Sequence, residues 1–242
     1  MINAQRQADS PSSLNTAEIQ NYILAATLYL DDMANNPKPE KPVSYRNSDL
    51  LEAFDENFYS KCYLTEQKFA TSWSMDIEHF LPQSERPDLV YDWSNLFPAE
   101  HYSNMTKPRK TPLGGYLNPC IAEEDVENDI LYTLSTYGHD PYFEARDNQN
   151  QKAINTCNLL NRIHNGHDEA TIKATSNLRH AIQKKYIDIL NKIIEWKNCT
   201  DGSQEKVQAK RELKDLLSRK SSFTMLLRSI PAVRQLPAEF LD

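Results

Sequence analysis

The chain has 242 residues, 39% of them apolar, enough for one large or two modest cores. Five glycines against thirteen prolines speak against a Rossmann-type or barrel fold, which spends glycine on tight turns, and favour helices joined by proline-punctuated loops. A formal net charge of -7 excludes a generally basic nucleic-acid-binding surface, so any phosphate contact has to be local or supplied by another chain.

In chain order, residues 1 to about 14 read as a polar, frayed lead with no basic stretch followed by an apolar one, hence no secretory signal. From Asn15 to Asp32, Ile19, Tyr22, Ile23, Ala26 and Leu30 recur at helical spacing, with Thr16 or Asn15 as cap. Residues 35 to 46 form a proline-rich connector. A second helix is expected from Ser48 to Tyr59, with Leu50, Leu51, Phe54 and Phe58 on one side. Over residues 60 to 112, aromatics, short apolar runs and proline break the helical period and predict strands with a long loop. A helix from Pro98 to Lys107 follows, framed by proline at its first position and Pro108 beyond its end. The remainder predicts helices near 146–163, 168–197, 203–219 and 221–229, with turns at His139-Asp140-Pro141, Asn165-Gly166 and Asp201-Gly202. No run is long enough to span a membrane. Cys62, Cys120, Cys157 and Cys199 form no CxxC pair, which fits free thiols in a reducing cytoplasm.

Chemistry concentrates in three segments: Asp76-Ile77-Glu78-His79-Phe80-Leu81-Pro82, Trp93-Ser94-Asn95-Leu96-Phe97 and Asn104-Met105-Thr106-Lys107. Asn95 follows His79 by sixteen residues, Asn104 follows Asn95 by nine, and Lys107 lies three further on. Phosphodiester hydrolysis needs a base for water, neutralisation of the charge that builds up, and stabilisation of the leaving oxygen. His79 titrates near neutrality and suits the base. Glu78 and Asn104 offer hard oxygen ligands suited to one magnesium or manganese ion. Three apart on the expected helix, Asn104 and Lys107 share a face, from which Lys107 would reach a phosphate. Asn95 would pin the loop and orient the imidazole. Lys107, Arg109 and Lys110 form the one basic cluster attached to these residues. On a regular strand Glu78 and His79 point to opposite faces, so the strand has to end or twist there, as Pro82 suggests.

Each feature has a plainer meaning. A lone Glu-His pair is common in surface loops, Asn95 suits a turn, and Asn104 and Lys107 suit a solvated helix face. His101 reads as an exposed helix residue, and His164 and His167 as flanks of a turn. His180 with Arg179, Lys184 and Lys185 is either a basic strip or a solvated face.

Taken together, Glu-His, Asn-Leu-Phe and Asn-x-x-Lys at these spacings resemble the HNH nuclease signature. The stretch Asp76–Pro82 with Tyr91–Leu96, and downstream Ala153–Asn161, resembles the PtuB-like HNH proteins more narrowly. The resemblance implies a small ββα-metal core in a mainly α (α+β) chain: a helical segment at 1–60, the nuclease core at 61–112 and a helical region at 113–242. It implies an endonuclease acting on nucleic acid, DNA ahead of RNA, as the cytoplasmic effector of an antiphage defence complex beside an ABC-type ATPase. A catalytically silent binding module on the same core is the alternative. Many HNH proteins carry two CxxC pairs around a structural zinc. Here those places read Cys62 with Thr65 and Glu100 with Ser103, so no structural zinc is expected and packing by Trp73, Phe80, Trp93 and Phe97 has to hold the core. The apolar residues Phe223, Met225, Leu226, Leu227 and Ile230 are expected to dock the partner.

Overall fold

Helices make up about half of the chain, and the strands are confined to two antiparallel hairpins among the described residues. The computed structural model describes residues 1–42, 44–135 and 140–242; His139, where the expected His139-Asp140-Pro141 turn begins, lies outside them. The chain divides into two units, Ala4–Tyr63 with Lys68–Gly115, and Met1–Asn3 with Leu64–Gln67 and Tyr116–Asp242.

The first of these carries the motif residues. Helix α1 (Ala17–Asp31) starts where the Thr16 side chain accepts from the Ile19 amide, and it buries Ile19, Tyr22 and Ala26. Helix α2 (Ser48–Phe58) buries Leu50, Leu51, Ala53, Phe54 and Phe58 and stops at Tyr59, in the left-handed region at φ 57°. Strands β1 (Asp76–His79) and β2 (Leu96–Ala99) pair antiparallel, with Asp76 opposite Ala99 and His79 opposite Leu96. Helix α3 (His101–Thr106) follows directly.

The expected helix from Pro98 to Lys107 is therefore too long at both ends. Pro98 and Ala99 are strand, and the Pro98 carbonyl accepts from the Tyr63 amide at 2.9 Å. Proline is tolerated there because a two-stranded ribbon leaves one edge of each strand outside the ladder. Trp73 is a second correction: it is 65% exposed, whereas Trp93 and Phe97 are buried. Arg6 supplies much of what Trp73 does not. Its guanidinium lies 4.3 Å from the Trp93 ring and 4.4 Å from the Phe97 ring, and it donates to the Trp93 and Leu96 carbonyls.

The second unit comprises α4 (Val126–Asp129), β3 (Ile130–Leu134), β4 (Pro141–Ala145), α5 (Gln151–Asn165), α6 (Glu169–Ala174), α7 (Ser176–Asn198), α8 (Gln204–Leu217), α9 (Thr224–Arg228) and α10 (Pro231–Arg234). The β3–β4 hairpin stands where no strand was expected. Helix α5 holds it: the Asn161 amide donates to the Phe143 carbonyl at 2.7 Å and its oxygen accepts from the Phe143 amide at 3.0 Å. The expected helix 168–197 is two, α6 and α7, parted at Thr175. Phe223, Leu226, Leu227 and Ile230 are buried in this unit, so they are core and not the exposed docking surface expected of them, and Met225 is half-buried. No helix among the described residues is long and apolar enough to cross a membrane.

One buried group gives this unit a pH dependence. His164, on α5, has its Nδ1 2.8 Å from the Leu160 carbonyl and its ring centroid 4.7 Å from that of Phe143. Burial pushes its pKa down to about 4, against the opposing pull of the Leu160 carbonyl. The unfolded chain then binds the proton first, so stability is complete above pH 6.5 and falls as pH drops towards 4. The loss expected from this group is roughly 3 kcal/mol, because each tenfold change in proton affinity is worth about 1.4 kcal/mol. Urea unfolding at pH 7 and pH 4.5 should show it, and His164→Leu should flatten the difference. An equal acid loss in the variant would place the proton elsewhere.

Candidate active site

The hairpin brings the two ends of the motif together. Glu78, His79, Asn104, Lys107 and Arg109, with Tyr45, line one cleft of ≈ 400 Å³. Arg109 and Lys110 are exposed beyond α3, and Lys110 lies outside the lining. The basic stretch is tied to the loop after β1 through Glu85, whose carboxylate accepts from the Thr111 amide at 2.9 Å and the Thr111 hydroxyl at 2.6 Å.

His79 closes β1 and is held from both ring nitrogens. Nε2 lies 2.9 Å from the Val90 carbonyl, which can only accept, so Nε2 carries the proton. Nδ1 thereby holds the lone pair and accepts from the Gln83 amide at 3.0 Å. Tyr45 packs edge-on against the ring, with centroids 5.2 Å apart. Burial pushes the His79 pKa down; the Val90 hydrogen bond and the Glu78 charge oppose it, and the charges of Lys41 and Lys107 add to it. The imidazole is neutral at pH 7, which is the form a base requires.

Asn95 is buried and makes three side-chain hydrogen bonds. Its oxygen accepts from the Leu81 amide at 2.7 Å, and its nitrogen donates to the Leu81 and Leu89 carbonyls, each at 3.1 Å. It fixes the loop between β1 and β2, and that loop aims the Val90 carbonyl at His79.

Lys107 stands elsewhere than expected. It is the residue after α3, with extended backbone, and its ammonium is buried. It forms an ion pair with Glu78 Oε1 and donates to the His79 carbonyl at 3.0 Å and the Phe80 carbonyl at 2.7 Å. In this arrangement it points at Glu78 rather than at a phosphate, and it does not share a helix face with Asn104. The other Glu78 oxygen, Oε2, accepts from the Tyr63 hydroxyl at 2.8 Å. Both carboxylate oxygens are thus engaged inside the protein, and Asn104 pairs with Asp76 instead, its amide nitrogen 3.1 Å from Asp76 Oδ2. Glu78 and Asn104 as they stand do not fit a shared divalent ion.

Sequence reasoning left Asp76, Tyr63, Gln83 and Tyr45 without a role. Asp76 had a signal: two residues before Glu78 on a strand, it shares that residue's face. Among the described residues no three His, Cys, Asp or Glu side chains gather as a metal group. At the positions of the second CxxC pair, Glu100 caps α3 by accepting from the Ser103 amide at 3.0 Å; at those of the first, Cys62 and Thr65 are both buried. Compared with known proteins, the chain matches no family model, no curated protein and no solved structure.

The Glu78–Lys107 pair makes a direct prediction. Removing one partner of a buried pair leaves an uncompensated charge and costs about 3–5 kcal/mol, whereas removing both can be nearly neutral. Lys107→Met should therefore be destabilised by that amount in urea unfolding, and Lys107→Met with Glu78→Gln should recover most of it. Additive losses in the double variant would show that the two side chains are not coupled.

Proposed function

We propose that this chain is a nuclease of the HNH class, hydrolysing nucleic-acid phosphodiester bonds with His79 as general base. The observation that carries the reading is His79 itself: a neutral imidazole on the wall of a cleft, its tautomer fixed by the Val90 carbonyl and its lone pair on Nδ1. Nδ1 takes the proton from water as the water oxygen bonds to phosphorus and the ester P–O bond opposite breaks, the departing oxygen taking a proton from solvent; the Gln83 amide that occupies Nδ1 yields that place to the water. Val90 stabilises the imidazolium by accepting from Nε2. Arg109 on the lining and Lys110 beside it supply phosphate contacts. Asn95 acts by holding the loop, and Lys107 by holding Glu78 and the end of β1. The resemblance also carries a divalent cation, magnesium or manganese, and Glu78 in its present pairing is not its ligand.

DNA ahead of RNA as substrate, a cytoplasmic setting, and a role as effector of an antiphage complex beside an ABC-type ATPase come with the resemblance. The net charge of -7 supports dependence on a second chain, because few phosphates can be neutralised by this one. The closed Glu78–Lys107 pair favours a second reading, a platform of the same shape that binds nucleic acid or a partner and cuts nothing.

Cleavage of plasmid, single-stranded DNA and RNA, with magnesium or manganese and with or without the ATPase, separates the two. The nuclease reading expects cutting that chelator abolishes and that His79→Ala lowers by about 10² to 10⁴-fold, the usual worth of a general base. Cutting by His79→Ala at the wild-type rate would remove His79 from the chemistry, and no cutting under any condition would leave the platform.

A further inference from the structure

On the rim formed by β1 and α3, three side chains converge that the proposed chemistry leaves unused. Asp76 Oδ2 lies 2.9 Å from His101 Nδ1 and 3.1 Å from Asn104 Nδ2. Asp76 and His101 have side chains 32% and 74% exposed, so the group is open to solvent. Asp76 Oδ1, Asn104 Oδ1 and His101 Nε2 engage no other group among the described residues. Asn104 also lines the cleft that holds His79.

We propose that Asp76, His101 and Asn104 are the divalent-cation site of this protein, with Glu78 serving as an internal partner of Lys107. This assignment rests on the nuclease reading, since it names the ligands of the cation such a site uses. In an octahedral shell with bonds of about 2.1 Å, neighbouring ligand atoms are about 3.0 Å apart, so the contacts of His101 and Asn104 with Asp76 Oδ2, at 2.9 Å and 3.1 Å, already have the spacing of two edges of that shell. Two small changes make them ligands. Half a turn of the Asn104 amide exchanges its nitrogen for its oxygen, and the His101 proton moves from Nδ1 to the solvent-facing Nε2, freeing the Nδ1 lone pair. A cation then takes the place of the two protons that now bridge to Asp76. Three protein ligands leave the remaining positions to water and a phosphate oxygen.

An imidazole nitrogen beside two oxygens favours first-row transition ions over magnesium or calcium; manganese, the weakest binder of that series, also suits the two oxygens. Glu78 is a poor competitor, because a cation reaching it has to displace an ammonium that already has three acceptors.

The test is Mn²⁺ binding to the full chain without nucleic acid, read by the loss of the free-ion paramagnetic resonance signal. Spin-echo modulation from a directly bonded ¹⁴N reports the imidazole. One ion per chain is expected, weakened at least about tenfold in Asp76→Asn and in His101→Ala, and the ¹⁴N modulation should vanish in His101→Ala but persist in His79→Ala. Asp76 and His101 are solvent-facing, so circular dichroism melts should match the wild type. Wild-type affinity in both variants, binding lost in Glu78→Gln alone with a native melt, or no Mn²⁺ bound at millimolar concentration would each overturn the assignment. The outcome is separable from the nuclease reading. If Asp76→Asn loses Mn²⁺ while the wild type cuts nothing with or without the ATPase, the site stands and the nuclease falls. If Asp76→Asn cuts like the wild type, the site falls and the nuclease stands.

Discussion

The cleft depends on one buried ammonium. Lys107 sits where β1 ends, and at that point two carbonyls, those of His79 and Phe80, turn out of the strand ladder and need donors. A single Nζ satisfies both and pairs with Glu78 as well. Because Lys107 follows α3 directly, the same interaction fastens the end of that helix to the end of the strand. The helix is only six residues long and would be marginal by itself. Its two clamps are Glu100 at the start and Lys107 at the finish. Between them, Asn104 and His101 are carried over Asp76.

A second constraint acts from the loop. Residues 80 to 95 leave the hairpin and return to it, and Asn95 spends both amide protons and one oxygen lone pair inside that excursion. The consequence is electrostatic as much as structural. With the loop fixed, the Val90 carbonyl lies opposite His79 Nε2 and selects one tautomer, while burial keeps the ring neutral. The tautomer of the imidazole therefore depends, through the Val90 carbonyl, on an asparagine that does not hydrogen-bond to it.

Membership of this group was legible in the residue spacings; the division of labour within it was not. Glu78, His79, Asn104, Lys107 and Arg109 do share one cleft, and Asn95 does pin the loop. The position of Lys107 turned on where a helix stops, and a difference of one residue at the C-terminus moved its side chain from a solvent-facing row to the interior. Glu78 read as a metal ligand because spacing says nothing of the tyrosine and lysine that reach it from residues 15 and 29 positions away. In the other unit, the helical period of Phe223 to Ile230 was real, but periodicity does not distinguish a core face from a docking face. The β3–β4 hairpin escaped notice because Ile130, Tyr132 and Leu134 give only a short alternation, and its β4 partner starts with a proline.

The placement of Lys107 bears on how an acidic chain could hold a polyanion. A lysine whose ammonium is paired with Glu78 and two carbonyls neutralises no phosphate, so under the proposed function it drops out of the groups available to a nucleic acid. What remains outward-facing around the cleft is Arg109, Lys110 and Lys41, and Lys41 already donates to Gln83 at 2.8 Å. Each phosphate that a protein neutralises steepens the logarithmic dependence of binding on salt by about 0.9. Three local cations set against a net charge of -7 give a shallow slope and weak attraction. Under the proposed function, a chain arranged in this way holds a scissile phosphate once it is delivered and has little means of collecting a long polyanion from solution. On the nuclease reading, the partner's contribution is then the groove, and this chain's contribution is the cut.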